Sequence, residues 1–316
     1  PQITKIRKNS IKFYKDLKRI TGLDTSFKQT GTINIATTKP RYQEYLRQKT
    51  MSKLFDLDIE LINKKKFQTL YPIAKNKDVL GALFIPDDGQ ADPEILTKNI
   101  AEAAKLEGVK IFEKCHLQKI LKRSNQIRGV KTNLGIINCQ YIVLCAGMWS
   151  RQIGEAAGVS IPLYPNEHFY MVTEDYKNLP EILPTFRDPD TYLYIREYHK
   201  KIMIGIFEPK AKNAFKKTGK VPYNFSFGEF NVDKKYTKML HQLAAKRIPN
   251  IKKLNIEKYF SGPESFTPDS NFLIGETEEI KNFYVCCGFN SIGIGSGGGA
   301  GKTIAEWMVK GHTTED

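Results

Sequence analysis

The apolar residues among the first 20 positions recur at intervals of three, four and seven, which is typical of a helix that buries one face. They are Ile3, Ile6, Phe13, Leu17 and Ile20. Gly22 follows them and predicts the end of this helix. Further helices are predicted from Pro40 to about Phe55, from Asp92 (N-cap) through Pro93 to Gly108 (C-cap), at 149–157, near 233–247, and after the glycine run that precedes residue 302.

Other stretches alternate apolar and polar residues, or are continuously apolar, as strands do. "GTINIATT" (31–38) alternates, and "YIVLCAG" (141–147) is apolar enough to predict a buried central strand. Further strands are predicted at 79–93 (ending in a turn), 109–122, 126–140, 168–174, 191–197 and 201–208. This order, βα units interrupted by a strand-rich block, predicts an α/β nucleotide-binding domain with an inserted, mostly β domain.

The 316 residues carry a formal net charge of +15, most of it on scattered lysines. A nucleic-acid-binding protein would be expected to interleave arginine and aromatic residues on one face, and the sequence contains no such stripe. The pattern therefore favours a solvated basic surface and no nucleic-acid partner, with a nucleic-acid-associated accessory protein as the weaker alternative.

Five cysteines occur without a C-x-x-C pair and without the spacing of a zinc site. They lie in apolar runs, where free cysteine behaves as a small hydrophobe, and this indicates a reducing compartment. No apolar run reaches the roughly 20 residues of a membrane span. The pair Asp87 and Asp88 belongs to "DDGQADP", which is ordinary turn chemistry, so no metal site is predicted.

The stretch "FNSIGIGSGGGAGKTIAEW" (289–307) nearly fits two phosphate-binding patterns. Gly293, Gly295 and Gly298 form the pattern G-x-G-x-x-G of dinucleotide-binding proteins. The three residues that start at Gly301 match the end of the P-loop pattern G-x-x-x-x-G-K-[ST], but Ser296 occupies the position of its first glycine. Both folds need further strands beyond the loop, and few residues follow. We therefore expect the last βα unit of a sheet, with a helix N-terminus directed at a ligand. The alternative is that the glycines only allow close packing.

Residues 262–311 resemble a known family. "GPESFTPDSNFLIGE" followed by "FYVCCGFNSIGIGSGGGAGKTIAEWMVKG" (262–311 overall) is similar to the sarcosine and dimethylglycine dehydrogenases, a family of FAD-dependent, D-amino-acid-oxidase-like proteins that includes the regulatory subunit of pyruvate dehydrogenase phosphatase. Segments 31–38, 87–93, 138–150, 162–174 and 187–197 have counterparts there in the same order. The resemblance thus covers nearly the whole chain.

The resemblance implies an FAD-binding domain (1–28, 92–158 and 258–316) interleaved with a mostly antiparallel substrate domain (29–91 and 159–257). It implies that the terminal glycine turn faces the isoalloxazine ring of FAD, whose reduced form a helix N-terminus stabilises. The residues that match cofactor-binding positions are Leu117, Gly147, Pro268, Asp269, Gly288, Asn290, Ser291, Gly297, Gly298 and Gly299.

By the same resemblance, the expected reaction is oxidation of an N-methyl amino acid by hydride transfer to the flavin, which requires no nucleophile–base pair. His168 and Tyr170 match positions that face the flavin and are the catalytic candidates; Tyr194 and Arg196 are the substrate-binding candidates. His168 and Tyr170 could instead be ordinary core or rim residues. Arg196 could bind a substrate carboxylate, or form a salt bridge to Glu197 or Glu208.

In the family, a first β-α-β unit with its own G-x-G-x-x-G precedes the position of Pro1. Three explanations stay open: the unit is absent from this sequence, lies on a separate polypeptide, or is lost in a degenerate structural subunit. We expect the missing segment or a partner protein to cover the open sheet edge. The family implies a small-molecule amine substrate and the mitochondrial matrix; the alternative function is a non-catalytic regulatory or structural subunit of a mitochondrial assembly.

Overall fold

A computed structural model describes residues 2–313 of the chain. Within them the chain forms seven α-helices: α1 (Gln2–Thr21), α2 (Lys39–Ser52), α3 (Lys64–Leu70), α4 (Pro93–Leu106), α5 (Ser150–Ala157), α6 (Lys234–Arg247) and α7 (Gly293–Lys310). The strands are β1 (Thr32–Ala36), β2 (Glu60–Ile62), β3 (Gly81–Ile85), β4 (Leu117–Arg123), β5 (Gln126–Thr132), β6 (Gly135–Asn138), β7 (Ile142–Leu144), β8 (Tyr164–Thr173), β9 (Thr185–Asp188), β10 (Leu193–Tyr198), β11 (Lys201–Ile206), β12 (Ile256–Phe266), β13 (Leu273–Glu276) and β14 (Phe283–Cys287). Short 3-10 turns lie at Lys53–Phe55, Gly147–Trp149 and Pro249–Lys253.

The largest sheet has eight strands in the order β12-β8-β11-β10-β9-β1-β3-β2. Its neighbours are antiparallel except for the parallel pair β1 and β9. A second sheet has the order β13-β14-β7 with a parallel β14–β7 pair, and a third the order β4-β5-β6. The mixed α/β fold predicted from the sequence is confirmed. The large sheet joins strands from both segments predicted to form the substrate domain, and β12 extends it.

One face of the large sheet forms the main core. Its strands bury Ile33, Phe186, Ile195, Ile204 and Met171 completely or almost completely. Helices α3 and α6 supply the covering side chains, since Phe67 of α3 and Leu240 and Ala244 of α6 belong to the same cluster. Because side chains alternate along a strand, the next residue of each strand points to the opposite face. That second face carries polar residues and forms the candidate site below.

The predicted helix ends are confirmed where capping residues set them. The helix predicted at 3–20 is α1, and Gly22 follows it with φ 74°, in the left-handed region that glycine adopts without a Cβ clash. Asp92 caps α4, its carboxylate accepting from the backbone N–H of Glu94 at 2.9 Å. At the other end Glu107 is the C-cap, and the predicted Gly108 lies one residue beyond it with φ 84°.

Two strand predictions need correction. Residues 109–116 form no strand, and β4 begins only at Leu117, because no strand of the described chain pairs with that segment; Val109, Ile111 and Phe112 are exposed. The stretch predicted as a central strand is β7, which forms the edge of its sheet within residues 2–313 and pairs only with β14. No helix of the described chain is long and apolar enough to span a membrane.

Candidate active site

Polar and aromatic side chains of β1, β9, β10, β8 and β12 lie on the sheet face opposite the main core, and β11 lies between β10 and β8. Residues that pair across neighbouring strands share a face. Tyr194 of β10 pairs with Gly205 of β11 and with Arg187 of β9, and Gly205 pairs with Tyr170 of β8. We call this surface the polar face; its polar, charged and aromatic residues include Asn34, His168, Tyr170, Arg187, Tyr194, Arg196 and Glu264.

His168 and Tyr194 form a hydrogen-bonded pair in the middle of the polar face. The Nε2 atom of His168 lies 2.8 Å from the Tyr194 hydroxyl, and Phe207 stacks on the imidazole with ring centroids 4.7 Å apart. Burial lowers the pKa of His168 to about 4 and raises the pKa of Tyr194. Both side chains are therefore uncharged at neutral pH.

The position of the Tyr194 ring depends on a glycine in the neighbouring strand. A Cβ atom on Gly205 would lie 2.1 Å from the Tyr194 hydroxyl oxygen, so any other residue there would displace the ring. Tyr170, the other predicted catalytic residue, shares the face with His168 and stacks on Phe260 with centroids 4.7 Å apart. Burial raises the pKa of Tyr170, so it also stays protonated at neutral pH.

Three arginines surround the cleft above the polar face. Arg187 and Arg196 come from β9 and β10, and Arg7 comes from α1 across the cleft. Within residues 2–313 none of the three guanidinium groups forms an ion pair with a carboxylate. Desolvation in the cleft, and then repulsion from Arg187, lowers the pKa of Arg7, while nearby Asp88 opposes this shift. The cleft lining thus carries three arginines and Asp88, which is a net positive charge.

Arg196 does not form the salt bridge to Glu197 or Glu208 that was the alternative to substrate binding. Its Nε atom donates to the Met203 sulfur at 3.3 Å, and its guanidinium lies 5.3 Å from the Tyr198 ring centroid. The Glu197 carboxylate instead accepts from Gln90 and from the backbone N–H of Lys200. The Arg196 guanidinium is therefore available to a ligand in the cleft.

The cleft has a volume of about 440 Å³ and is closed on one side by the start of α7. The lining includes Ser291, Ile292, Ile294 and Gly295. No side chain of residues 2–313 caps the N-terminus of this 18-residue helix, so its positive dipole end lies uncapped at the cleft.

A turn follows β14 as predicted, but it ends before Gly293, and the glycine run itself is helical. The turn comprises residues 288–292, with positive φ at Gly288, Asn290 and Ser291, and the glycines from Gly293 onward are helical. The Asn290 side chain holds the turn: its Oδ1 accepts from the Thr267 N–H at 2.9 Å and its Nδ2 donates to the Gly288 carbonyl at 2.6 Å. Sequence reasoning missed that glycines can continue a helix where another helix approaches closely.

That approach comes from α1. A Cβ atom on Gly298 would lie 2.7 Å from the Phe13 ring, and the Gly299 N–H donates to the Ser10 hydroxyl at 2.8 Å. The Tyr14 hydroxyl donates to the Ile294 carbonyl at 2.6 Å and accepts from the Gly298 N–H at 3.3 Å. Gly298 and Gly299 therefore pack against α1. This agrees with the alternative prediction, in which the glycines allow close packing and do not bind a ligand. Their assignment to the cofactor stays a prediction.

The other predicted cofactor residues lie in separate places. Leu117 opens β4, Gly147 follows β7 with φ 52°, and Gly297 is exposed on α7. Pro268 and Asp269 form the turn after β12, where Asp269 accepts from the Asn271 N–H at 3.1 Å. None of these five residues lines the cleft with Ser291. Their roles stay predictions too.

Two arginines of the site, Arg7 and Arg187, were not predicted from the sequence. Arg187 lies in "RDPDTYLYIRE", a segment that the family resemblance had already selected, and its pairing with Tyr194 in period-two register could have identified it. Arg7 carried no signal of this kind, because its place at the cleft depends on how α1 packs against α7.

The chain is similar to known proteins in both sequence and structure. The profile of the family described as "FAD dependent oxidoreductase" matches residues 1–307. The 4-methylaminobutanoate oxidase (formaldehyde-forming) of Paenarthrobacter nicotinovorans is 34% identical over 98% of this chain and 37% of its own length. The mitochondrial sarcosine dehydrogenase of Homo sapiens is 33% identical over 96% of this chain and 33% of its own.

The mitochondrial pyruvate dehydrogenase phosphatase regulatory subunit of Mus musculus is also 34% identical, over 99% of this chain and 36% of its own. The chain thus spans about a third of the length of these curated relatives. Among solved structures, L-proline dehydrogenase from P. horikoshii superposes with a TM-score of 0.87 at 27% identity, over 98% of this chain and 79% of that one.

Proposed function

The chain belongs to the family of FAD-dependent oxidoreductases, and on that premise we propose that it carries the substrate site of an enzyme that oxidises an N-methyl amino acid by hydride transfer to the flavin. The observation that supports this proposal is the composition of the cleft. Tyr194, whose hydroxyl is hydrogen-bonded to the buried His168, lines the cleft with Arg187 and Arg196, whose charges have no carboxylate partner in residues 2–313.

The residues around the start of α7 fit a flavin. The open helix N-terminus offers backbone N–H groups and a positive dipole end to the electron-rich edge of a reduced ring. Gly295 has open space where a side chain would be, and the Ser296 hydroxyl is buried without a hydrogen-bond partner in the described chain. Ser291 and Gly295 would lie next to the ring. FAD, when bound, supplies the hydride acceptor.

The chain's own residues would bind and orient the substrate. Arg187 and Arg196 can each donate two parallel hydrogen bonds to a carboxylate, which fixes its orientation. The uncharged His168 and Tyr194 offer no negative charge to stabilise an ammonium group, so they favour the neutral amine that hydride transfer requires. A carboxylate at one end and an amine at the other is the chemistry of an amino acid.

The names of two relatives indicate that the substrate amine carries an N-methyl group. One is named for 4-methylaminobutanoate and another for sarcosine, and both names describe an amine with a methyl group and a carboxylate. We take sarcosine, N,N-dimethylglycine and 4-methylaminobutanoate as the test set.

The deciding experiment is anaerobic mixing of the purified full natural chain with each member of the test set, followed in the flavin absorbance band. The proposal is supported if at least one of the three compounds bleaches the flavin band while the corresponding amine without a carboxylate does not. A flavin-containing protein whose band none of the three bleaches contradicts it.

A second candidate function is a non-catalytic subunit of a mitochondrial assembly that retains the flavoprotein fold. The 34% identity with the phosphatase regulatory subunit favours it, as do the exposed apolar side chains of Val109, Ile111 and Phe112. Purification of a colourless protein in fixed stoichiometry with a larger mitochondrial assembly would support this alternative. Relatives from bacteria and from mitochondria both occur, so the mitochondrial location is part of the same proposal.

A further inference from the structure

Glu264 of β12 is a buried carboxyl group on the polar face that the proposed function does not yet use. It pairs with Asn166 of β8, two positions along from the pairing of Gly262 with His168, so its side chain lies on the same face as the imidazole. Its Oε2 atom is shielded from solvent and has no hydrogen-bond partner in the described chain. Such an atom is costly to leave unsatisfied, which indicates a role beyond packing.

Glu264 is removed from solvent, and its carboxyl group forms no ion pair with a basic side chain in residues 2–313. Burial raises the pKa of Glu264 to about 7, and its charge contributes to the raised pKa of Tyr194. The titratable and charged groups that share the polar face with it are His168, Tyr170, Arg187, Tyr194, Arg196, Tyr198 and Lys258. Those that line the neighbouring cleft from other elements are Arg7, Tyr14 and Asp88. Lys258 is already paired with Glu229 at 2.7 Å.

His168 is a poor proton acceptor in this site because its burial disfavours the imidazolium. Tyr194 and Tyr170 are protonated, and the arginines carry positive charge. Burial raises the pKa of Glu264 to about 7, so its carboxyl group can change protonation state near neutral pH and can accept the proton of a bound ammonium group.

We propose that Glu264 is the proton acceptor for the substrate ammonium group, converting the bound amino acid to the neutral amine that can lose a hydride. This inference rests on the proposed function. In the step, the ammonium N–H bond breaks, its electron pair stays on nitrogen, and the proton forms an O–H bond on the Glu264 carboxylate. No electrons leave either group, so no oxidant is needed for this step.

The test uses Glu264→Gln, which keeps the shape of the side chain but cannot take the proton. Its matched control is Glu167→Gln, the same change one strand over and on the opposite face, where Glu167 pairs with Lys212 at 2.8 Å. Both are made in the full natural chain with its flavin. The first readout is independent of turnover: infrared titration of the protonated-carboxyl stretching band between pH 5 and 9.

We expect wild type and Glu167→Gln to show a carboxyl band that disappears with a midpoint near pH 7, and Glu264→Gln to lack it. The second readout is the pH profile of kcat/KM with the methylated amino acid that bleaches the flavin. We expect kcat/KM to rise with pH through the same midpoint, and Glu264→Gln to lose that limb and about tenfold or more of its rate at pH 8.

Persistence of the limb in Glu264→Gln overturns the inference while the proposed function stands. Loss of flavin from Glu264→Gln but not from Glu167→Gln also overturns it, since the residue would then serve cofactor retention. If no methylated amino acid reduces the wild-type flavin, the proposed function fails and the inference falls with it.

Discussion

A Cβ atom on Gly299 would lie 1.9 Å from the carbonyl oxygen of Ile6, which is closer than any real contact of this kind. The approach of α1 to α7 at this point places Arg7 and Tyr14 at the cleft, and Tyr14 in turn binds the first turn of α7. The contact between these two helices therefore positions part of the site from a distance.

The first prediction follows from this contact. We expect Gly299→Ala to lower the free energy of unfolding by about 1–3 kcal/mol or more, because backbone must move to admit the methyl group. Gly301→Ala is the matched control: it lies in the same helix with no atom within 4 Å of its Cβ position, so we expect a gain of roughly 0.5–1 kcal/mol. Urea unfolding measures both. Equal effects at the two positions would refute the close approach of α1.

The second prediction concerns substrate binding. Arg187→Gln removes a guanidinium that has no carboxylate partner in residues 2–313, so we expect KM for the amino acid substrate to rise about 10- to 100-fold with a smaller change in kcat. Arg47→Gln on α2 is the control, since Arg47 is exposed and forms an ion pair with Glu44 away from the cleft. Steady-state kinetics tests both variants. An unchanged KM with a lower kcat would argue against carboxylate binding.

The third prediction uses the lowered pKa of His168, about 4 against about 6.5 in an unfolded chain. Between these values the unfolded chain binds a proton that the folded chain does not, so this residue destabilises the fold increasingly as pH falls from 6.5 to 4. At pH 4.5 the loss is about 2–3 kcal/mol relative to pH 7.5.

We expect His168→Gln to reduce the stability difference between pH 7.5 and pH 4.5 by that amount in urea unfolding. The exposed His116→Gln is the control and should leave the difference unchanged. A His168→Gln protein with the full wild-type pH dependence would show that His168 titrates normally in the fold.

The fourth prediction concerns the other side of the large sheet. Arg247 of α6 is buried and donates to Asp188 of β9 at 2.8 Å and to Asp78 at 3.0 Å. We expect Arg247→Met to cost about 3–5 kcal/mol because Asp188 would remain as a buried charge without its partner. The exposed pair of Lys98 and Glu94 gives the control Lys98→Met, with an expected change below about 1 kcal/mol. Similar losses in the two variants would contradict the buried network.

Much of the local structure was predictable because it depends on neighbouring residues in the chain. The period of α1, the cap at Asp92 and the alternation of β1 all matched the predicted elements within a few residues. The predictions failed where a second element decides the outcome. Residues 109–116 have a strand pattern but no partner strand in the described chain. The glycines from Gly293 are helical, and at Gly298 and Gly299 they admit the close approach of α1.

The sequence by itself determined most of the elements, the family and four residues of the polar face, since period-two alternation places Tyr194 with Arg196 and His168 with Tyr170. Only the tertiary structure decided that Arg7 and Arg187 meet at one cleft, and that the Glu264 Oε2 atom, which has no hydrogen-bond partner in residues 2–313, lies on the same face as His168 and Tyr194. The physical reason is range: alternation and capping act over a few residues, whereas strand register and helix packing join segments that are far apart in the chain.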